Sequence, residues 1–169
     1  WFKSHHPALW ARLHTVLLPH DYLTWRLRGF GPGNANLDEL TTDRSDASGT
    51  AYWSGDSNDY VPELFDLALG KSAILPKVLG PTDSAGVTGS GIPGVPAGLP
   101  VGVGGGDNAE AALALGLKVG DAVISLGTSG TVYARTPAPV HDYSGIVSSY
   151  ADCTGDQLPL SATLNAARD

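Results

Sequence analysis

The chain has 169 residues, 42% of them apolar, and a formal net charge of −7. That is enough apolar chain for one ordinary domain with a buried core, or for pieces of two, and it excludes a disordered tail. The acidic balance argues against a general nucleic-acid binder, which needs a basic stripe. The basic-rich stretch at residues 1–30, with Lys3, Arg12, Arg26 and Arg28 against Asp21, reads as decoration of exposed helices.

Pro7 to about Val16 is predicted as a short helix, because Pro7 suits a first turn and Leu9, Leu13 and Val16 fall near one face. Asp21 to Arg28 is a second, closed by Gly29. Residues 29–42 are rich in Gly and Asn and read as a surface loop. Val61 to Leu69 is a third helix, with Asp59 as its cap and Gly70 as its stop. Between Gly80 and Pro100 the density of Gly and Pro leaves little room for regular structure, and a short strand follows from about Leu99 to Val103. The alanine-rich run from Asn108 to Leu117 is a further helix. Ala122–Leu126 and Thr131–Ala134 flank a glycine turn as paired strands. Gly145–Tyr150 and Gln157–Leu160 are further strands, and Ser161 onward is expected to open a helix.

Two glycine-framed segments about twenty residues apart carry the chemistry. In Gly104-Gly105-Gly106-Asp107-Asn108, the glycines permit unusual backbone angles and a close approach of ligand to main chain. Asp107 then stands at a helix start, where the macrodipole favours negative charge. Asp107 with Glu110 also forms a capping pattern, and capping and catalysis do not exclude each other. In Ile124-Ser125-Leu126-Gly127-Thr128-Ser129-Gly130-Thr131, alternation leads into a Gly-x-x-Gly turn. Its N–H groups and the Thr128 and Ser129 hydroxyls can converge on phosphate oxygens, although an ordinary hairpin tip looks much the same. A carboxylate beside a phosphate-holding turn is the minimum equipment for phosphoryl transfer. There the transition state is loose, and a carboxylate mainly orients the hydroxyl and accepts its proton late.

Other candidates carry less. His5, His6, His14 and His20 lack a convincing zinc spacing. Asp46, within Ser45-Asp46-Ala47, reads as a turn or helix-start residue. Cys153 is the one cysteine; it rules out an internal disulfide, suits a reducing compartment and reads as a buried, inert thiol. No apolar run approaches the ~20 residues of a membrane span, so a cytoplasmic protein is expected. With no methionine and a start at Trp1, the chain is expected to be an internal portion of a longer protein.

Taken together, Val16-Leu17-Leu18-Pro19-His20-Asp21-Tyr22-Leu23, Arg26-Leu27-Arg28-Gly29, Ser45-Asp46-Ala47-Ser48-Gly49-Thr50, Gly104 to Asn108 and Ser125 to Thr131 resemble, in order, the xylulokinases of the FGGY family of carbohydrate kinases, in the actin-like ATPase superfamily. The resemblance covers essentially the whole chain. It implies an α/β fold, part of an actin-like, RNase H-like two-domain kinase. Residues 1–118 would be the later part of the first domain and 119–169 the opening strands of the second, with a composition change near Lys118-Val119-Gly120. It implies Asp107 as the base that deprotonates the sugar hydroxyl, Asn108 as a neighbouring sugar contact, and Gly127, Thr128, Ser129 and Gly130 as the loop holding the distal phosphates of ATP. ATP and Mg²⁺ are the implied cofactors and a small sugar, D-xylulose, the implied acceptor. Neither nucleic acid nor membrane is an expected partner, and a homodimer is allowed.

The family's Asp-x-Gly-Thr phosphate motif does not occur in the chain, and its adenosine-binding segment should lie beyond Asp169. The chain by itself is therefore expected to be inactive. Two rivals stay open: another FGGY kinase acting on gluconate, ribulose or glycerol, and a non-catalytic actin-like nucleotide-binding module.

Overall fold

The computed structural model describes residues 1–166. In chain order the elements are α1 (Phe2–His5), α2 (Pro7–Ala11), α3 (Pro19–Leu27), a 3-10 turn (Leu37–Glu39), β1 (Thr41–Asp43), α4 (Arg44–Ser48), β2 (Trp53–Ser54), β3 (Asp59–Tyr60), α5 (Pro62–Leu69), β4 (Lys77–Leu79), β5 (Ser84–Val87), β6 (Pro100–Gly102), α6 (Asp107–Ala114), β7 (Ala122–Leu126), β8 (Gly130–Ala134), β9 (Ser148–Ala151) and β10 (Gln157–Thr163). They form two compact units, one of residues 1–42 and 60–104, the other of residues 43–59 and those from Gly105 on. Among the described residues no helix is long and apolar enough to cross a membrane.

In the first unit, α3 starts at Pro19, where a missing N–H costs nothing. Asp21 accepts a hydrogen bond from the Leu18 N–H (2.7 Å) across the first turn. Trp25 is buried and donates its indole N–H to the Asn36 carbonyl (2.9 Å). The Arg28 guanidinium pairs with the Glu39 carboxylate and carbonyl. These contacts fold the glycine-rich 29–42 segment down. Its far end is not the surface loop expected from composition, because Leu40 and Thr42 are buried and β1 pairs with β4.

The helix predicted over Pro7–Val16 ends at Ala11. Two interactions stop it. The Lys71 ammonium donates to the carbonyls of Trp10, Ala11 and Leu13, and β-branched Thr15 enters a parallel bridge with Ile74. Asp59 does not cap α5 but lies in β3. Val61 holds the cap position, Pro62 fills the first helical position, and Gly70 closes the helix at φ +76° as expected. The Gly80–Pro100 stretch does contain a strand, β5, which pairs with β6 through a register shift between Ser84 and Gly86.

The second unit is built on a four-stranded antiparallel sheet in the order β7-β8-β10-β9. Cross-strand register places Val123 opposite Tyr133, Tyr133 opposite Leu160, and Leu158 opposite Tyr150. With a side-chain period of two, these residues share one face. Ala109 and Ala112 of α6 pack on that face together with Leu117, Leu158 and Leu160. Alanine at both helix positions lets the helix backbone approach the strands closely. The opposite face leaves Ile124, Leu126 and Val132 exposed. Pro159, unable to donate to a ladder, sits one residue before the β8 register begins at Leu160↔Tyr133. The helix expected from Ser161 is instead the end of β10 followed by a turn over 164–165; residues 167–169 lie outside the described residues.

Candidate functional site

All of the sequence-predicted site residues lie in the second unit, which can be built up from α4. Asp43 precedes this helix and accepts from the Ser45 N–H (2.6 Å), the Ser45 hydroxyl and the Asp46 N–H. Burial pushes the Asp43 carboxyl above the usual carboxylate range, the Ser45 hydrogen bonds oppose that shift, and the Asp46 charge adds to it. The Ser45 hydroxyl, spent as a donor on Asp43, accepts the Gly106 N–H at 2.8 Å. One serine thus fastens the glycine triplet to a helix start 61 residues earlier in the chain.

Crowding explains two of the glycines. A β-carbon at Gly105 would stand 2.5 Å from Cys153 Sγ and 2.6 Å from a Glu110 carboxylate oxygen. One at Gly106 would stand 2.8 Å from an Asp46 carboxylate oxygen. Gly105→Ala is therefore expected to destabilise the protein by about 1–3 kcal/mol through overpacking. The double variant Gly105→Ala/Cys153→Ala, which removes the obstructing sulfur, should recover part of the lost melting temperature. Equal melting temperatures for wild type and the single variant would refute this account of the triplet. Cys153 is half-buried and not buried as expected from sequence, and that burial pushes its thiol up to about 11.

Asp107 is the first residue of α6. It does not cap the helix: Gly106 holds that position, with no side-chain cap bond. Freed from capping, the exposed Asp107 carboxylate uses one oxygen, Oδ1, to accept the Asn108 backbone N–H (2.8 Å) and the Asn108 side-chain amide (2.9 Å). The other face of the Asn108 amide, Oδ1, accepts the Thr131 hydroxyl at 3.3 Å. Thr131 follows directly on the glycine turn between β7 and β8, so the two glycine-framed segments meet through this bond.

A cavity of about 150 Å³ opens beside Asp107, and Ser45, Asp46, Asn108, Tyr150 and Leu158 are among the residues lining it. Its volume lies well under the ~300 Å³ at which pockets for drug-sized ligands begin. Its walls are held by the Ala151 N–H donating to the Ser48 hydroxyl (2.9 Å), which ties β9 to α4. Sequence reasoning placed Asp46 correctly at a helix start but missed its position in this cavity, and missed Tyr150 altogether. The Ser45-Asp46-Ala47 block hinted at the first; nothing local marked the second.

The glycine turn is a hairpin tip, as predicted. β7 and β8 pair from Ala122↔Ala134 to Leu126↔Gly130. Thr128 and Ser129 are exposed and Gly130 is buried. The Gly127 N–H closes the turn on the Ser129 carbonyl (2.9 Å), and the Thr128 carbonyl accepts the Ala166 N–H (3.1 Å). The tip is thus braced, with two hydroxyl-bearing side chains at its end. A second cavity, near 140 Å³, is lined by Lys118, Arg135 and Asp152 among others. Its Arg135 is already engaged by Asp156 (2.9 Å), Asp152 (3.5 Å) and the Leu117 carbonyl.

Residues 1–114 match the FGGY family of carbohydrate kinases, N-terminal domain. A xylulose kinase of Streptomyces coelicolor is 44% identical across 98% of this chain and 33% of its own length. One from Streptomyces rubiginosus is 45% identical with the same coverage. Among solved structures, the xylulose kinase from Bifidobacterium adolescentis superimposes with a TM-score of 0.85 at 41% identity, over 98% of this chain and 36% of that one. The chain therefore spans about a third of the length of these relatives, and the likeness bears out the α/β kinase fold expected from sequence.

Proposed function

The chain belongs to the FGGY family of carbohydrate kinases, and from that premise we propose that it contributes to ATP-dependent phosphorylation of D-xylulose at its 5-hydroxyl, within a longer protein. Residues 1–118 would belong to the sugar-binding domain and 119–169 would open the nucleotide-binding one. The observation that carries this reading is the hydrogen-bonded link from Thr131 at the hairpin to Asn108 and Asp107 at the cavity mouth, since it keeps an acceptor base beside a phosphate-binding turn. Asp107 takes up the acceptor proton through the oxygen that Asn108 does not hold. Asn108 lines the cavity and contacts the sugar. Gly127, Thr128, Ser129 and Gly130 receive the distal phosphates, a role that fits two exposed hydroxyls on a braced turn. ATP, when bound, would supply the phosphoryl group, and Mg²⁺ would screen the charge on its phosphates.

The cavity also bears on the choice of acceptor. Its charged lining groups are Asp46 and Asp107, and no cationic side chain lines it among the described residues. Two carboxylates favour a neutral polyhydroxy sugar, whose hydroxyls can donate to them, and repel a sugar acid. A substrate panel on the full-length protein tests this. Turnover of D-xylulose well above that of gluconate is expected; a preference for gluconate would overturn the assignment. ATP binding without sugar-stimulated ADP release would point instead to a non-catalytic nucleotide-binding module.

The phosphate role of the hairpin has its own test. Thr128→Ala removes one hydroxyl donor to a charged ligand, so the KM for ATP should rise roughly tenfold while that for the sugar stays put. An effect confined to the sugar would contradict the role.

A further inference from the structure

We propose that Thr131 is a positioning residue for the base: its hydroxyl sets the Asn108 amide, and Asn108 in turn aims the Asp107 carboxylate. The proposal rests on the kinase reading above and adds to it a residue outside the four assigned to the phosphates. Three geometric facts carry it. The Thr131 hydroxyl lies 3.3 Å from Asn108 Oδ1. The Asn108 Nδ2 lies 2.9 Å from Asp107 Oδ1. The Asn108 backbone N–H reaches the same carboxylate oxygen at 2.8 Å.

The direction of each bond follows from donor chemistry. An ionised carboxylate only accepts, so the amide nitrogen must face Asp107, and the amide oxygen must then face Thr131. A hydroxyl is the donor that this oxygen needs. Without it the amide loses its preference at one end, and rotation about the Asn108 side chain would release one of the two bonds that hold Asp107 Oδ1. Because Oδ1 is occupied by two donors, Oδ2 is the oxygen left to face an acceptor hydroxyl. Thr131 thus fixes which carboxylate oxygen works.

The placement of Thr131 gives the relay a second consequence. It lies in β8 one residue past the buried Gly130, itself the partner of Leu126 across the turn. Its hydroxyl therefore ties the strand that leaves the glycine turn to the start of α6.

The test uses the full-length protein and two substitutions. Thr131→Val keeps the β-branched shape that the strand requires and deletes only the hydroxyl; Thr131→Ser keeps the hydroxyl. The valine variant should lose about tenfold in kcat, with both KM values within about twofold and the melting temperature unchanged, while the serine variant stays near wild type. In an Asn108→Ala background Thr131→Val should have little further effect, because the path it acts through is gone. Wild-type kcat in Thr131→Val, or losses that simply multiply in the double variant, would overturn the proposal. Absence of sugar-dependent turnover in the wild type would sink the kinase reading instead. Crystal structures then decide the relay by themselves: reorientation of the Asn108 amide in Thr131→Val supports it, and an unmoved amide and carboxylate refute it.

Discussion

Asp107→Asn in the full-length protein is expected to abolish sugar phosphorylation almost entirely while leaving ATP binding close to that of wild type. The substitution is nearly isosteric, and an asparagine oxygen at the Oδ1 position can still accept the Asn108 backbone N–H and side-chain amide that now hold the carboxylate. The geometry of the α6 start should therefore survive, and the variant isolates the loss of charge and basicity. Without a group to take the acceptor proton, kcat should fall by about 10²–10⁴-fold, the range that a positioned base commonly contributes. The hairpin tip carries Thr128 and Ser129 on the β7–β8 turn and does not depend on the charge of Asp107, so nucleotide affinity should change little. Titration with ATP and a coupled ADP assay on the same preparation separate the two effects. Near-normal turnover would remove Asp107 from the mechanism; loss of ATP binding alongside turnover would show that the substitution had disturbed the unit as a whole.

The parts of the molecule that sequence reasoning recovers are those whose cause is local. Ile124-Ser125-Leu126 alternates and runs into a glycine turn, so the β7–β8 hairpin was legible to within a residue. The alanine run made α6 legible, and Gly70 marked the end of α5. What escaped depends on partners far along the chain. Nothing near Gly105 says that Cys153 will press against it, nor near Gly106 that the Ser45 hydroxyl will take its N–H. The early end of α2 is imposed by Lys71, some sixty residues away, whose ammonium competes for the carbonyls that a longer helix would have used. The candidate site divides the same way. Asp107, Asn108 and the hairpin tip stand out by their glycine frames, whereas Asp46 and Tyr150 come together at the cavity through the packing of β9 on α4, which the Ala151–Ser48 bond joins. Thr131 was visible as part of a motif, but its partner was not.

The largest stability loss from a single truncation is expected at Leu158, and it should carry a functional penalty with it. Leu158 is 1% exposed, belongs to the cluster formed with Ala109, Ala112, Tyr133 and Leu160, and also lines the cavity beside Asp107. Because α6 meets the sheet through alanines, most of the apolar volume at that interface comes from the strand side. Leu158→Ala removes it where no neighbouring helix side chain is long enough to fill the gap. A cost of about 2–5 kcal/mol is expected for such a site, a large share of the ~5–15 kcal/mol that stabilises a typical domain. The vacated space would open onto the existing cavity, so the α6 start should lose support on the side where Asp107 must be aimed. Denaturant unfolding gives the first quantity, and kcat measured well below the melting temperature gives the second. Leu164→Ala is the control: Leu164 is 81% exposed, and its truncation should stay within about 0.5 kcal/mol of wild type. If Leu158→Ala cost no more than that control, the α6–sheet interface would not be what holds the base in place. The carboxylate would then owe its aim to the two Asn108 hydrogen bonds and to the Ser45 bond that holds the preceding glycine.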